Sequence, residues 1–261
     1  MTLIESRQNG TLRHLARLAR EKKYRRASGE MVCEGEKLLG EALSSGARVK
    51  TVLLRSDAGD SLRALAAQAE AAGAALASAP PPLFSLASDV ETPQGVIFTC
   101  ESPVIPGALP AVQCALLLDG VQDPGNLGTI IRSADAFGLE ALIFCEGCAD
   151  PTAPKVVRST MGAVFRQPLY RLPLTQAVER LRALGLPVYA AALRQDSVPV
   201  TSLGPCAVIV GSEGHGVSAE SLALCDRPIL LPMTGRAESL NAGVAASLLI
   251  WEMQKSRLSK R

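Results

Sequence analysis

From Cys114 onward, continuous apolar runs alternate with stretches of helical period. The runs Cys114–Leu118, Ala141–Cys145, Val188–Ala192, Ala207–Val210 and Ile229–Leu231 are apolar throughout rather than at every second position. That is the pattern of strands covered on both faces, as in a parallel sheet. Helices are expected between and after them, at Leu127–Phe137, Pro154–Val164, Thr175–Leu184 and Ser239–Met253. The last is rich in Ala and Gly, which lets other backbone come close. Glu238, Ser239 and Asn241 stand at its start, with Ser239 the expected N-cap. Earlier in the chain, Leu12, Leu15, Leu18 and Ala19 recur at helical spacing with Arg between them, an amphipathic helix with a basic outer face. Lys22-Lys23-Tyr24-Arg25-Arg26 ends it. Met31 to Leu43 reads as a strand and a helix that include Glu34-Gly35, Val49 to Leu54 as a strand and Ser61 to Ala72 as an Ala-rich helix. Leu83 to Ala87 reads as a short helix or turn, and Gly95 to Thr99 as a strand. The pattern therefore predicts a small α/β domain over residues 1–102. A linker follows over 103–110, where Pro103, Pro106, Gly107 and Pro110 cluster, and then a larger α/β domain over 111–261.

Composition narrows the class. With 261 residues, 48% of them hydrophobic and 20% charged, the chain can bury a substantial core. No run approaches the roughly 20 apolar residues of a membrane span. The polar start does not read as a signal peptide, and seven Cys without regular spacing suggest a reducing compartment, so a cytoplasmic location is expected. The net charge of +2 conceals an asymmetry. Residues 1–26 carry eight basic side chains against Glu5 and Glu21, a local +6 that leaves −4 for the remainder. A basic arm on a mildly acidic body suits a polyanion, with Tyr24 as a candidate base-stacking ring; a solvated helix face is the alternative.

Three stretches carry candidate chemistry. Asn126 is the expected N-cap of its helix, Gly128 leaves the first turn bare, and Arg132 follows one turn later. A helix start and a guanidinium fork make a phosphate site, although Arg132 could instead pair with Asp135, three residues on. Gly211-Ser212-Glu213-Gly214 follows a buried strand, at the end where α/β proteins bind ligands. Glu213 can accept a proton or a hydrogen bond there, or stand as a solvated loop carboxylate; His215 beside it is accessible without an assigned role. The third stretch is Leu231-Pro232-Met233, Gly235 and Ser239-Leu240-Asn241. Cys145-x-x-Cys148 has no second Cys pair at zinc spacing, so no metal is expected. Neither a G-x-G-x-x-G dinucleotide fingerprint nor a P-loop is present.

In this order, Asn126-Leu127-Gly128 with Arg132-Ser133-Ala134, Ile209 to Gly214, and Leu231 to Asn241 resemble the SpoU family of RNA 2′-O-ribose methyltransferases, in the knotted SPOUT superfamily. The resemblance implies a trefoil-knotted α/β domain with a mostly parallel sheet and helices on both faces, behind a small N-terminal RNA-binding domain of ribosomal-protein-like fold. It implies S-adenosylmethionine as cofactor, held by backbone around Gly211, Leu231, Met233 and Leu240. Asn126, Arg132, Glu213, Ser239 and Asn241 would form the catalytic set, and Arg20, Lys22, Lys23, Arg25 and Arg26 would bind RNA. A family homodimer would form through the C-terminal domain, with the small-residue face from Ala242 to Ala246 suited to the packing. Ribosomal RNA is the expected substrate. The rival readings are a transfer RNA substrate, a non-catalytic RNA-binding homologue, and a small-molecule enzyme of ordinary doubly wound fold. The basic tail residues Lys255, Arg257, Lys260 and Arg261 could add phosphate contacts or form a frayed helix end.

Overall fold

A computed structural model describes residues 1–236 and 239–258, in two compact units. Glu238, Lys260 and Arg261 lie outside the described residues.

The first unit comprises residues 1–103 and 152–165. Its elements begin with β1 (Thr2–Leu3), α1 (Gly10–Arg20), α2 (Lys22–Ser28), β2 (Glu30–Glu34), α3 (Glu36–Ser44) and β3 (Val49–Arg55). They continue with α4 (Asp60–Ala71), β4 (Ala75–Ala79), α5 (Pro81–Phe84) and β5 (Val96–Glu101). The strands form one mixed sheet in the order β1-β4-β3-β5-β2. Leu12, Leu15 and Leu18 bury the inner face of α1, as their spacing requires, and Asn9 caps its start by accepting from the Thr11 N–H at 2.8 Å. Strand β4 (Ala-Leu-Ala-Ser-Ala) carries no β-branched or aromatic residue and leaves no trace in the hydrophobic pattern. It exists because β3 pairs it in parallel from Thr51 to Arg55.

The second unit comprises residues 104–151 and 166–261. It begins with β6 (Val104–Pro106), β7 (Cys114–Asp119), α6 (Pro124–Phe137) and β8 (Ala141–Phe144). Next in the chain, α7 (Pro154–Ser159) belongs to the first unit. The second unit resumes with β9 (Leu169–Arg171), α8 (Leu174–Ala183), β10 (Val188–Ala191) and β11 (Val198–Pro199). It ends with β12 (Cys206–Gly211), α9 (Ala219–Leu224), β13 (Arg227–Leu230) and α10 (Ala242–Leu258). Eight strands make one sheet in the order β11-β13-β10-β12-β7-β8-β9-β6, and every pairing is parallel. Central β7 and β12 are buried on both faces, which is why their sequences are apolar without alternation.

Three local expectations are corrected. The stretch read as a linker contains β6, an edge strand paired with β9; Pro106 is tolerated because an edge leaves its missing N–H unneeded. Asp123, not Asn126, caps α6, accepting from the Asn126 N–H at 2.7 Å with Pro124 in the first turn. Asn241, not Ser239, precedes α10, and its side-chain oxygen accepts from the Val244 N–H at 3.2 Å. The true caps lie three and two residues from the expected ones, and both Asp and Asn are strong capping residues.

Candidate functional site

In the parallel register, Asp119 at the end of β7 lies beside Gly211 at the end of β12. The chain after β12 turns at once. Ser212 and Gly216 exchange backbone hydrogen bonds of 2.9 Å in both directions. The turn folds so tightly onto β12 that a Cβ on Gly211 would lie 2.0 Å from the carbonyl carbon and oxygen of Gly216 and 2.1 Å from the Val217 nitrogen. Only glycine fits. The far end of the turn is anchored by Asp119, whose carboxylate accepts from the Ser218 N–H at 2.9 Å and the Ser221 hydroxyl at 2.7 Å. Asp119, Ser218 and Ser221 escaped the sequence reading; the one available signal was an acid closing an apolar run.

A cavity of about 610 Å³ opens at the carboxyl ends of β10, β12 and β13. Gly211, Leu231, Met233 and Leu240 all line it, together with Glu213, Ser239 and Asn241. Its apolar wall includes Ile229 and Leu249, and Arg194 and His215 stand on the loops after β10 and β12.

Residues from the three sequence stretches join in one hydrogen-bonded line. Asn241 uses its amide oxygen on the N-terminus of α10, so its nitrogen is free to donate to the Asn126 oxygen at 2.8 Å. The Asn126 nitrogen then donates to the Glu213 carboxylate at 2.9 Å. Each amide is thus oriented by its neighbour, and neither can flip without breaking two contacts. Glu213 also accepts, at 3.4 Å, from the backbone N–H groups of Gln122 and Asp123. Burial pulls its carboxyl up, but the Asn126 amide and the backbone donors outweigh that and hold it below the ordinary carboxylate value. Glu213 is ionised at neutral pH. The line closes because α10 lies close on α6: a Cβ on Gly243 would sit 3.3 Å from the Thr129 Cβ and 3.4 Å from the Asn126 Cα.

Arg132 points outward from α6, while Ile130, Ile131 and Ala134 are fully buried. The alternative partner Asp135 is taken by Arg166, at 2.8 Å. Arg132 makes no hydrogen bond or ion pair among the described residues. It is an exposed guanidinium without a carboxylate partner among the described residues.

The basic arm is partly reassigned. Arg20, Lys22, Lys23 and Arg26 are exposed. Arg25 is not: it is 5% exposed and donates at 2.7 Å to the Leu18 carbonyl, satisfying the free C-terminal end of α1. Tyr24 is also committed, with the Arg17 guanidinium 3.9 Å from its ring centroid and His14 packed edge-on and hydrogen-bonded to its hydroxyl at 2.9 Å. That ring is not a free stacking platform. In the tail, Lys255 pairs with Glu252, and Arg257 reaches Glu140 and Gln113. Arg257 therefore ties the last helix to the residues just before β7 and β8 rather than presenting a free cation. Burial pushes the Cys145 and Cys148 thiols up, and among the described residues no His, Cys, Asp and Glu gather as a metal site. Among those residues no helix is long and apolar enough to cross a membrane.

The chain is similar to known proteins along most of its length. The model of an MRM3-like substrate binding domain matches residues 9–97. The 23S rRNA (guanosine(2553)-2′-O)-methyltransferase RlmP of Bacillus subtilis is 37% identical, over 97% of this chain and 100% of that protein. The 23S rRNA (uridine(2479)-2′-O)-methyltransferase of Streptomyces viridochromogenes is 32% identical, over 91% and 86%. Among solved structures, the AdoMet-bound rRNA methyltransferase of Sinorhizobium meliloti superposes with a TM-score of 0.85 at 29% identity, covering 98% of each chain. AviRb of Streptomyces viridochromogenes in complex with AdoMet gives 0.81 at 29% identity, covering 97% of this chain and 100% of that one. The model of the SpoU rRNA methylase family matches residues 113–251, from just before β7 into α10 and across all three motif stretches, and the chain belongs to that family.

Proposed function

We propose that this protein transfers a methyl group from S-adenosylmethionine to a ribose 2′-hydroxyl of RNA, with ribosomal RNA as the substrate class. The observation that carries the reading is the Asn241–Asn126–Glu213 line at the rim of the cavity, with an exposed Arg132 further along the helix that holds Asn126. The residues present fit the cofactor. The cavity volume is in the range of small-molecule sites, and the missing side chain at Gly211 lets the Ser212–Gly216 turn close onto β12 and shape one wall of it. Leu231, Met233 and Leu240 supply apolar cover for an adenine. When bound, the cofactor supplies an electrophilic methyl on a cationic sulfur.

The chain's own groups do the rest. Glu213 sets a fixed negative charge at the rim, suited to a cationic sulfur, and its hydrogen bonds lock Asn126. A 2′-hydroxyl is a weak nucleophile, so its ribose must be held in line with the methyl. Arg132 serves that need as a planar fork for an RNA phosphate, and its work is charge and orientation. Exposed Arg20, Lys22, Lys23 and Arg26 in the first unit recruit RNA through its phosphates.

Three further readings belong to the same proposal. The domains divide as RNA-binding over 1–102 and methyltransferase over 111–261, except that residues 152–165 belong to the compact unit of the first and 104–110 to that of the second. The second domain is threaded as a trefoil knot, which is supported by the chain passing from β13 back onto α6 through α10. The protein acts in the cytoplasm as a homodimer. The interface surface differs from the one the sequence suggested, because Ala242, Gly243 and Ala246 are buried within the chain. What supports a dimer is the outer face of α10, where Val244, Leu248 and Trp251 are 46%, 42% and 42% exposed.

The test is Arg132→Ala. Methyl transfer to RNA should be lost in single-turnover assays, while S-adenosylmethionine affinity and the melting temperature stay near wild type, and Arg132→Lys should remain poor. Near-normal transfer by Arg132→Ala would remove this residue from the site. Failure of the intact protein to bind S-adenosylmethionine would remove the proposal.

A further inference from the structure

Arg194 is unaccounted for by the three motif stretches. It follows β10, and among the described residues lining the cavity it is the one Lys or Arg, while Glu213 is the one carboxylate. Its own contact is local. Nε donates to Asp196 Oδ1 at 2.9 Å and Nη2 to Oδ2 at 3.5 Å, two residues along the same loop. Both side chains are at least half exposed, so the pair is weakly held and Arg194 is open to exchange of partner.

We propose that Arg194 recognises the carboxylate of the amino-acid end of the methyl donor, which makes it a specificity-determining residue of the cofactor site. The inference rests on the methyltransferase reading above. The donor carries a cationic sulfur and an ammonium, which suit Glu213, and a carboxylate, which Glu213 repels. A carboxylate entering this cavity needs a cation, and Arg194 is the side chain that offers one in a planar fork matched to two oxygens. Asp196 holds the guanidinium in the loop until the ligand takes its place as acceptor.

The experiment compares S-adenosylmethionine with its decarboxylated analogue, which keeps the adenine, ribose, sulfonium and amine. Titration calorimetry on the full-length protein should show wild type preferring the carboxylated donor by about tenfold or more, the range of a hydrogen-bonded charge pair. Arg194→Gln should reduce that preference to about twofold by weakening the carboxylated ligand alone, and Arg194→Lys should fall between, because a point charge keeps the attraction without the fork. In steady state, Arg194→Gln should raise KM for the donor and leave kcat near wild type. A ratio unchanged by Arg194→Gln would overturn the proposal. So would equal weakening of both ligands, which marks a structural role, or a wild type indifferent to the carboxylate. Absence of binding of either ligand to wild type would instead sink the methyltransferase reading, and this inference with it.

Discussion

Gly211→Ala perturbs the site through one methyl group. The added Cβ would lie 2.0 Å from the Gly216 carbonyl carbon and oxygen and 2.1 Å from the Val217 nitrogen. All three are backbone atoms, so no rotamer change relieves the clash. The least costly escape is to open the turn, which breaks the reciprocal Ser212–Gly216 pair. Two such hydrogen bonds are worth about 2 kcal/mol. That figure limits the loss of stability, because the protein can open the turn instead of carrying the collision. If the cofactor needs the closed turn, the same about 2 kcal/mol appears as about a thirtyfold weaker Kd. Gly214→Ala is the internal control. It lies in the same turn, but its Cβ would meet nothing within 4 Å. Titration calorimetry with S-adenosylmethionine and thermal melting of both variants make the comparison. Equal affinities for Gly211→Ala and Gly214→Ala would refute the reasoning, because the close approach at Gly211 would then play no part in shaping the cavity.

The arm can be dissected. Replacing Lys22, Lys23 and Arg26 together with Ala should leave the melting temperature unchanged and lower the log–log salt slope of RNA binding by about 2. Arg25→Ala should instead cost about 2 kcal/mol of stability, because it frees a buried carbonyl of α1, and a stable Arg25→Ala protein with impaired RNA binding would reverse that assignment. The pH profile should also discriminate. The Glu213 carboxyl is lowered in the folded state, so its interactions are complete above its unfolded value and are lost as pH falls through the lower folded value. Methyl transfer should therefore show no acid limb from Glu213 above about pH 5, and a limb near neutrality that vanishes in Glu213→Gln would contradict this. Finally, Leu248→Asp with Trp251→Asp should convert a dimer to monomers in sedimentation velocity without lowering secondary structure; an unchanged sedimentation coefficient would rule out the α10 face.

The apolar runs of the second unit determined the central strands, because a strand covered on both faces has no polar position to interrupt it. The observed strands β7, β8, β10, β12 and β13 each lie within two residues of the run that predicts them. Residue type also carried much of the chemistry. An Arg six residues along a helix from an Asn, and a Glu in a Gly-rich turn, are informative before any fold is known. Other features were settled only in three dimensions. Strand β4 has no intrinsic preference and depends on β3, and β6 hides among prolines because an edge tolerates them. The two helix caps shifted by a few residues because several short polar side chains near each helix start can cap and geometry selects one. The fate of a charge was the least legible. Arg25 and Arg26 are neighbours of one type, yet one turns in to cap α1 and the other faces solvent. Likewise Arg132 does not pair with Asp135, because Arg166, 31 residues beyond Asp135, takes that carboxylate. A sequence states which groups can ionise and donate; which of them remain available for a ligand depends on partners that only the folded chain brings near.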